Sequence, residues 1–294
     1  MRFFSPWIMI ICMGLGSSGC GGKATDNTQV PKTNESQATA PNDNTSLQAF
    51  SAKDFQKRLD EIFQPYFEQM SKTENLFAEK GDERIQIVQY KTKKISGFPI
   101  EKATFFVLEN GWVWNKDDKT LLDENEIIAG AIVPSDDCPL PFVAVEASLH
   151  IDKYDHLNID LFPLSKDAKY KKLFSEPLQK LREQAFHLPG FFKKTVNPDL
   201  LGGYTSGGMF GGDFPVALRD QTIPLWFEYA TLYKQFLDNR DTFPILKNPA
   251  VLEEAKQIKQ VFLSNFRKET PRILSDIPHL YTEEKGKELG DYLF

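Results

Sequence analysis

Residues 139–162, PLPFVAVEASLHIDKYDHLNIDLF, decide the fold because they read as two strands joined by a polar turn. In an extended chain, successive side chains point to opposite sides. In the first strand, one side would be apolar and the other would carry Phe142, Ala144, Glu146, Ser148 and His150. In the second, Asn158, Asp160 and Phe162 would alternate with Leu157, Ile159 and Leu161, and residues 152–156 would supply the turn. We predict two neighbouring strands that share a polar face.

Two interpretations of this polar face stay open. An antiparallel sheet commonly has one side in water, and such a sheet needs no ligand. The other interpretation is a ligand pocket floored by Glu146, His150, Asn158 and Asp160. The alternation of residues alone does not choose between them.

Several short motifs resemble, in order and spacing, those of the ferredoxin-dependent bilin reductases and their relative, red chlorophyll catabolite reductase. The motifs are Pro134, Leu140-Pro141-Phe142, the carboxylate Glu146 and the run LNIDLFPL at 157–164. A helical segment at 165–184, the turn Leu188-Pro189-Gly190 and the segment 265–274 resemble later parts of the same family. The resemblance covers residues 47–294.

The resemblance implies an oxidoreductase that reduces an open-chain tetrapyrrole such as biliverdin. Single electrons would come from a ferredoxin, and no tightly bound cofactor or metal would be needed. Glu146 stands at the position of the family's catalytic acid, which most bilin reductases fill with Asp and red chlorophyll catabolite reductase with Glu. A carboxylic acid in an apolar pocket stays protonated near neutral pH and can donate that proton. The alternative role for Glu146 is a sheet carboxylate paired with a cation.

The chain also departs from the family pattern. The position of a catalytic His in some members falls near Ala129, and the position of a second acid falls at Arg267 and Lys268. These two cations, with Arg272, are candidates for holding the propionates of a tetrapyrrole, because Arg and Lys bind carboxylates. Glu109 is a candidate pocket carboxylate. For each of these residues, an exposed surface position is the alternative.

Composition narrows the function classes. A net charge of -6 and a pI near 5.4 argue against nucleic acid as a partner. A hydrophobic content of 41% with 24 Phe is typical of a globular domain. The four His residues lie outside any H-E-x-x-H motif, and no G-x-S-x-G elbow is present, so zinc and serine-hydrolase chemistry have little support.

The N-terminus reads as a processed leader. Residues 1–20, MRFFSPWIMIICMGLGSSGC, resemble a bacterial lipoprotein signal that ends at Cys20, the expected lipidation site. An ordinary secretory signal or a membrane anchor is the alternative. Residues 21–46 are polar and predict a disordered tether, and 47–294 form one domain.

This leader places the protein in the bacterial cell envelope, anchored to a membrane by lipid, whereas ferredoxin belongs to the cytoplasm. Two readings follow. In the first, the protein is a reductase that uses another electron donor, or a reductase that stays in the cytoplasm because the leader is misread. Alternatively, it is a non-catalytic, lipid-anchored tetrapyrrole-binding lipoprotein.

The remaining patterns predict an α/β (α+β) fold, an α/β/α sandwich with a mostly antiparallel central sheet of about six strands flanked by helices. A helix begins after Ser51, and Pro65 should kink or split it. Strand-like runs occupy 84–90, 102–109, 111–114 and 127–133, with a turn at Asn110-Gly111. Helices are expected at 165–185, 224–237 and 249–266, the last capped by Asn248. The Gly-rich stretch 202–213 predicts a loop, either a pocket lid or a solvated connection.

A basic concentration lies in the segment 166–194. It comprises Lys166, Lys169, Lys171, Lys172, Lys180, Arg182, Lys193 and Lys194. Such a patch in an acidic chain could steer an acidic ferredoxin. A solvated helix face is the alternative.

Overall fold

The computed structural model describes residues 50–76, 85–93, 97–114, 121–150, 154–192 and 206–274. Seven strands form one antiparallel sheet in which the spatial order equals the chain order. They are β1 (Met70–Leu76), β2 (Ile85–Thr92), β3 (Ile100–Trp114), β4 (Leu121–Pro134), β5 (Phe142–His150), β6 (Tyr154–Phe162) and β7 (Phe210–Pro215). The helices are α1 (Ala52–Phe67), α2 (Ala168–Gln184), α3 (Arg219–Asp238) and α4 (Pro249–Leu274), with short 3-10 helices at Val216–Leu218, Arg240–Thr242 and Pro244–Lys247. This architecture confirms the predicted fold class, whereas the proposed leader and tether, with Cys20, lie outside the described residues.

One side of the sheet, here called the apolar face, packs against α1 and α3. Paired residues of antiparallel strands point to the same side, so Phe105, Val145 and Ile159 share this face through the registers of β3 to β6. Phe67 of α1 contacts the Phe105 ring at 6.3 Å between centroids. Trp226 of α3 donates its indole N–H to the backbone oxygen of Asn158 at 3.0 Å. The helices therefore cover this side of the central strands with aromatic side chains.

The opposite side, here called the polar face, is covered at one end by α4. Phe142 of β5 stacks on Phe266 with centroids 5.5 Å apart, and Phe162 of β6 meets Phe262 at 5.6 Å. Buried Lys259 anchors the same helix, since its ammonium lies 2.8 Å from Glu101 and also contacts Asp136. α4 thus lies over the Phe142–Phe162 end of the sheet, beyond which the polar residues of β5 and β6 continue.

The predicted starts of α1 and α4 are confirmed, whereas α2 begins at Ala168 and not at residue 165, and α3 begins at Arg219 and not at residue 224. Ser51 accepts the N–H of Asp54, and the Asp54 carboxylate accepts the N–H of Ser51, which forms a capping box before α1. Asn248 accepts the N–H of Ala250 at the start of α4. The prediction that Pro65 might split α1 is wrong. Pro65 lies within the last turn, where a single lost N–H does not end the helix.

Three other predictions need correction. The 102–109 and 111–114 runs belong to one strand, β3, and the expected turn at 110–111 is a register shift between Leu108 and Gly111. β1 was not predicted, because its sequence, MSKTENL, has five consecutive polar residues and lacks the apolar alternation typical of a strand. β7 was missed because its sequence, FGGDFP, combines Gly and Pro, residues that are rare in strands. It pairs with β6 through residues that the sequence assigned to a loop.

Candidate functional site

The polar face carries a cross-strand row of polar side chains. Glu146 on β5 pairs in register with Asn158 on β6, and Ser148 pairs with His156. His156 pairs in turn with Asp213 on β7. All of these side chains except Asp213 are buried. Three adjacent strands thus bring an imidazole, an amide and two carboxylates to one region of the sheet.

His156 lies between the two carboxylates. Its Nδ1 is 2.8 Å from Oδ1 of Asp213, and its Nε2 is 3.7 Å from Oε2 of Glu146. Burial opposes the charged imidazolium, but the neighbouring Glu146 and Asp213 carboxylates outweigh it and raise the pKa of His156 to about 9. At neutral pH the site therefore contains a buried imidazolium beside a buried acidic side chain.

Two buried polar atoms of this row have no hydrogen-bond partner within the described structure. They are Nε2 of His156 and Oδ1 of Asn158. Buried polar atoms are nearly always paired, so these two atoms are candidates for contact with a ligand or a water molecule. Gly211 of β7 leaves space for the amide, because a Cβ there would lie 2.5 Å from Oδ1 of Asn158. On this face of β6, the site therefore offers a ligand the Nε2 of His156 and, one position farther along the same face, the Oδ1 of Asn158.

Asp160 continues the polar row of β6 toward α4. Burial raises the pKa of Asp160 to about 7, although two hydrogen bonds oppose the shift. Ser206 donates its hydroxyl to Oδ1 at 2.5 Å, and the N–H of Leu161 donates to the same oxygen at 2.8 Å. A group that titrates near neutrality can accept or release a proton under ordinary conditions.

The strands beside Glu146 carry small side chains on this face. Glu146 pairs in register with Ala129 of β4, and Ala144 of β5 lies between Ala131 and Asp160. Such a floor places few atoms above the backbone. The small side chains end at β3, where Phe106 pairs in register with Ala129.

The structure brings three of the predicted pocket residues together, namely Glu146, Asn158 and Asp160. His150 lies at the end of β5 on the same face. Its backbone N–H donates to Asp155 at 3.2 Å, and its carbonyl accepts a 2.6 Å hydrogen bond from Arg219. It therefore marks the edge of the polar row.

Of the other predicted ligand residues, Glu109 lies on the opposite side of the sheet. Glu109 is on the apolar face, where its carboxylate lies 2.5 Å from the ammonium of Lys53 in α1. Alternation along β3 explains this position, because Glu109 follows Leu108, which pairs with Ile127 on the polar face. Arg267 is exposed on α4. The side chains of Lys268 and Arg272 lie outside the described part of the structure.

One residue of the predicted basic patch, Arg182, is not on the surface. Arg182 is buried, and its guanidinium donates to the carbonyl oxygens of Met209 at 3.2 Å and Phe192 at 3.0 Å. Lys169, Lys172 and Lys180 are exposed on α2, whereas residues 193–194 are outside the described residues.

Sequence reasoning missed His156, Asp213 and Ser206. His156 was assigned to the turn, but β6 begins at Tyr154, so the imidazole falls on the polar face two residues before Asn158. Strict alternation, extended backward from Asn158, would have found it. No local signal identifies Asp213 or Ser206. Asp213 reaches the site through the pairing of β7 with β6, and Ser206, which precedes β7, reaches it through its hydrogen bond to Asp160.

Within the described residues, no group of three or more His, Cys, Asp or Glu side chains is arranged to hold a metal ion. In the same part of the chain, no helix combines the length and the apolar composition needed to cross a bilayer.

Of three comparisons with known proteins, only the one with solved structures gave a match. No protein-family model matches the chain, and a search of curated proteins found no significant relative. Among solved structures, the chain is similar to the crystal structure of phytochromobilin synthase from tomato in complex with biliverdin. The two share 14% sequence identity with a TM-score of 0.47, over 81% of this chain and 80% of the tomato chain.

Proposed function

We propose that this protein binds an open-chain tetrapyrrole on the polar face and reduces it, with Glu146 as the proton donor. The motifs at 134–164 support this proposal, because they resemble those of the bilin reductases. The observation that carries it is the buried Glu146 beside the imidazole of His156, whose Nε2 has no hydrogen-bond partner among the described residues. A buried acid next to an unpaired polar atom suits a reaction that delivers protons to a bound molecule.

The chemistry requires both electrons and protons. Reduction of one carbon–carbon double bond consumes two electrons and two protons. We propose that the electrons arrive singly from a ferredoxin or another one-electron donor, and that Glu146 supplies a proton to the pigment. Glu146 is then a carboxylate beside the imidazole of His156, and this neighbouring ring can return a proton to it.

The ligand contacts follow from the same face. Pyrrole N–H groups are donors, so Oδ1 of Asn158 suits them as an acceptor. We assign Asp160 and His150 to the ends of the polar row that contact the rest of the pigment. Arg267, Lys268 and Arg272 of α4 are proposed to hold its propionates, since paired cations bind carboxylates well.

For the electron donor we propose a surface on α2. A groove of roughly 750 Å³ lies between α2 and the segment 243–248. Its apolar lining includes Leu173 and Phe243, and its charged lining consists of Lys169, Lys172 and Lys180 with one acidic residue, Glu176. A basic rim around an apolar floor suits a transient contact with an acidic protein such as a ferredoxin.

The experiment is an anaerobic absorbance titration of the protein with biliverdin, followed by reduced ferredoxin. We expect a bound-pigment spectrum that changes when the reductant is added. Glu146→Gln should bind the pigment and leave it unreduced, with circular dichroism as the check that it folds. Glu109→Gln, on the apolar face, is the matched control and should reduce the pigment at the normal rate.

Binding without any reductant-dependent change would favour the second candidate, a non-catalytic tetrapyrrole-binding lipoprotein. The lipoprotein-type leader favours this candidate, since export separates the protein from cytoplasmic ferredoxin. Absence of binding would refute both candidates.

We propose further that the protein is anchored at Cys20 in the cell envelope. Radiolabelled palmitate should be incorporated into the wild-type protein and not into Cys20→Ser. Equal labelling of both would contradict the anchor.

A further inference from the structure

We propose that His156 stores the proton that Glu146 delivers, and that Asp213 holds the imidazole in position for this transfer. The assignment rests on the proposed reductase function. It concerns His156 and Asp213, to which the sequence motifs give no role. The β4 residue paired with Glu146 is Ala129, so no histidine is available at the position where some bilin reductases have a catalytic His.

The first support is the geometry of three adjacent strands. Asp213, His156 and Glu146 form a line across β7, β6 and β5, with His156 in the middle. The exposed fraction of the side chain is 42% for Asp213, 3% for His156 and 4% for Glu146. Of the three, Asp213 is therefore the one that meets solvent, and Glu146 lies at the buried end.

The second support is the hydrogen bond that orients the ring. The 2.8 Å contact joins Nδ1 of His156 to Oδ1 of Asp213, and an ionised Asp213 can only accept, so Nδ1 carries the hydrogen. Nε2 then points toward Oε2 of Glu146 at 3.7 Å. This distance exceeds a hydrogen bond, and catalytic contacts of this kind often tighten only when the ligand is bound.

The third support is the charge around the ring. Glu146 and Asp213 flank the imidazole, His150 lies farther along β5 on the same face, and Asp160 lies four residues along β6. The Phe192 ring packs against the imidazole with centroids 5.9 Å apart. Asp155 points to the opposite face, where Arg219 binds it. The described surroundings of His156 therefore favour the protonated ring.

The transfer balances as follows. The imidazolium gives its Nε2 proton to the Glu146 carboxylate, and the resulting carboxylic acid gives that proton to the pigment as an electron arrives from the donor. The products are a Glu146 carboxylate and a neutral imidazole that keeps its Nδ1 hydrogen on Asp213. One proton taken up from water restores the imidazolium.

The apo protein provides the first test. With ¹⁵N-labelled histidine, NMR should show that His156 keeps both ring hydrogens to about pH 9. Asp213→Asn keeps the shape and removes the charge, so it should lower the titration midpoint of His156 by at least one pH unit. Glu109→Gln, the control on the opposite face, should leave the midpoint unchanged. An ordinary midpoint in the wild type that does not move in Asp213→Asn would overturn the proposal.

The reduction reaction provides the second test. Asp213→Asn should bind biliverdin with normal affinity. In a plot of its reduction rate against pH, the fall in rate on the alkaline side should occur at lower pH than in the wild type, because His156 loses its proton earlier. His156→Ala should be slow and should regain rate with added imidazole, which a purely structural role would not produce. If His156→Ala fails to fold, the Asp213→Asn profile alone decides. An unshifted alkaline limb would contradict the proposal.

Failure of the proposed function is distinguishable from failure of this inference. If the wild type neither binds nor reduces biliverdin, the reductase assignment falls. The NMR titration still decides whether Asp213 and Glu146 hold a charged His156.

Discussion

The two faces of the sheet handle buried charge in different ways. On the apolar face, Asp155 is bound by the guanidinium of Arg219 at 2.6 Å and 2.8 Å, so the charges are paired and hydrogen-bonded. On the polar face, the imidazole of His156 lies between two carboxylates, yet its Nε2 and Oδ1 of Asn158 have no hydrogen-bond partner in the described structure. Paired groups stabilise a fold, whereas unpaired ones cost free energy unless a ligand meets them. The contrast holds for the strand residues, because Gln56 of α1 and Tyr233 of α3 also carry a buried polar atom without a hydrogen-bond partner in the described structure. We propose that the paired strand residues stabilise the fold and that the unpaired ones contact a ligand.

The largest expected effect is on the apolar face. Trp226 is fully buried and donates to the backbone of Asn158, so Trp226→Ala removes both packing and a hydrogen bond. We expect the free energy of unfolding to fall by about 3–5 kcal/mol, measured by urea denaturation.

Its counterpart is Asn158→Leu, which has the same number of heavy side-chain atoms. Replacing this amide, whose Oδ1 has no hydrogen-bond partner in the described structure, by an apolar group should change stability by less than about 1 kcal/mol, while biliverdin binding weakens at least about tenfold. A large loss of stability with normal binding would reverse the proposed division between faces.

The second effect concerns the turn that supports Asp213. Gly190 has φ +86°, and an added Cβ would lie 1.9 Å from the backbone oxygen of Asp213. Gly190→Ala should therefore destabilise the protein by about 2–4 kcal/mol, from the strained backbone and the clash together. Gly97 also has a positive φ, +74°, with no atom within 4 Å of the added Cβ. Gly97→Ala should cost only about 1 kcal/mol, and equal losses in thermal melts would contradict the role of the clash.

The third effect is a dependence of stability on pH. Because burial raises the pKa of Asp160 to about 7, the folded protein holds a proton there that the unfolded chain has released. Stability should fall as pH rises from about 4 to about 7, by an amount on the order of a few kcal/mol. Asp160→Asn is neutral throughout and should lose this slope. Identical slopes for the two proteins in urea denaturation across this range would refute the assignment.

The smallest effect belongs to Glu109. Its contact with the half-exposed Lys53 is a surface ion pair on the apolar face. Glu109→Gln should therefore change stability by less than about 1 kcal/mol. Pigment affinity should remain normal, and a marked loss of affinity in an absorbance titration would place Glu109 at the ligand.

Alternation was sufficient to predict the centre of the polar face. Glu146, Asn158 and Asp160 lie on one side because strand geometry fixes side-chain direction wherever the chain is extended. Alternation cannot say where a strand begins, and the late start assigned to β6 left His156 in a turn. Uncertainty about strand ends also led to the prediction of two strands, 102–109 and 111–114, where the structure has the single strand β3.

Long-range pairing explains what could not be predicted. β7 contains two adjacent glycines and ends in Pro215, so its local preference is for a loop. Pairing with β6 overrides that preference and delivers Asp213 to His156. The motif alignment also could not show which face of β3 Glu109 occupies, and the structure places its carboxylate beside Lys53 on the apolar face.

The turn at Gly190 also affects how the sheet ends. The carbonyl of Gly190 accepts the N–H of Asp213 at 3.1 Å, and the N–H of Phe192 donates to Gly211 at 2.9 Å. Two outward-facing backbone groups of β7, at Gly211 and Asp213, are thus already hydrogen-bonded. At the opposite margin, β1 carries the charged pair Lys72 and Glu74. Occupied or charged margins resist the addition of a foreign strand, which protects an open sheet against aggregation.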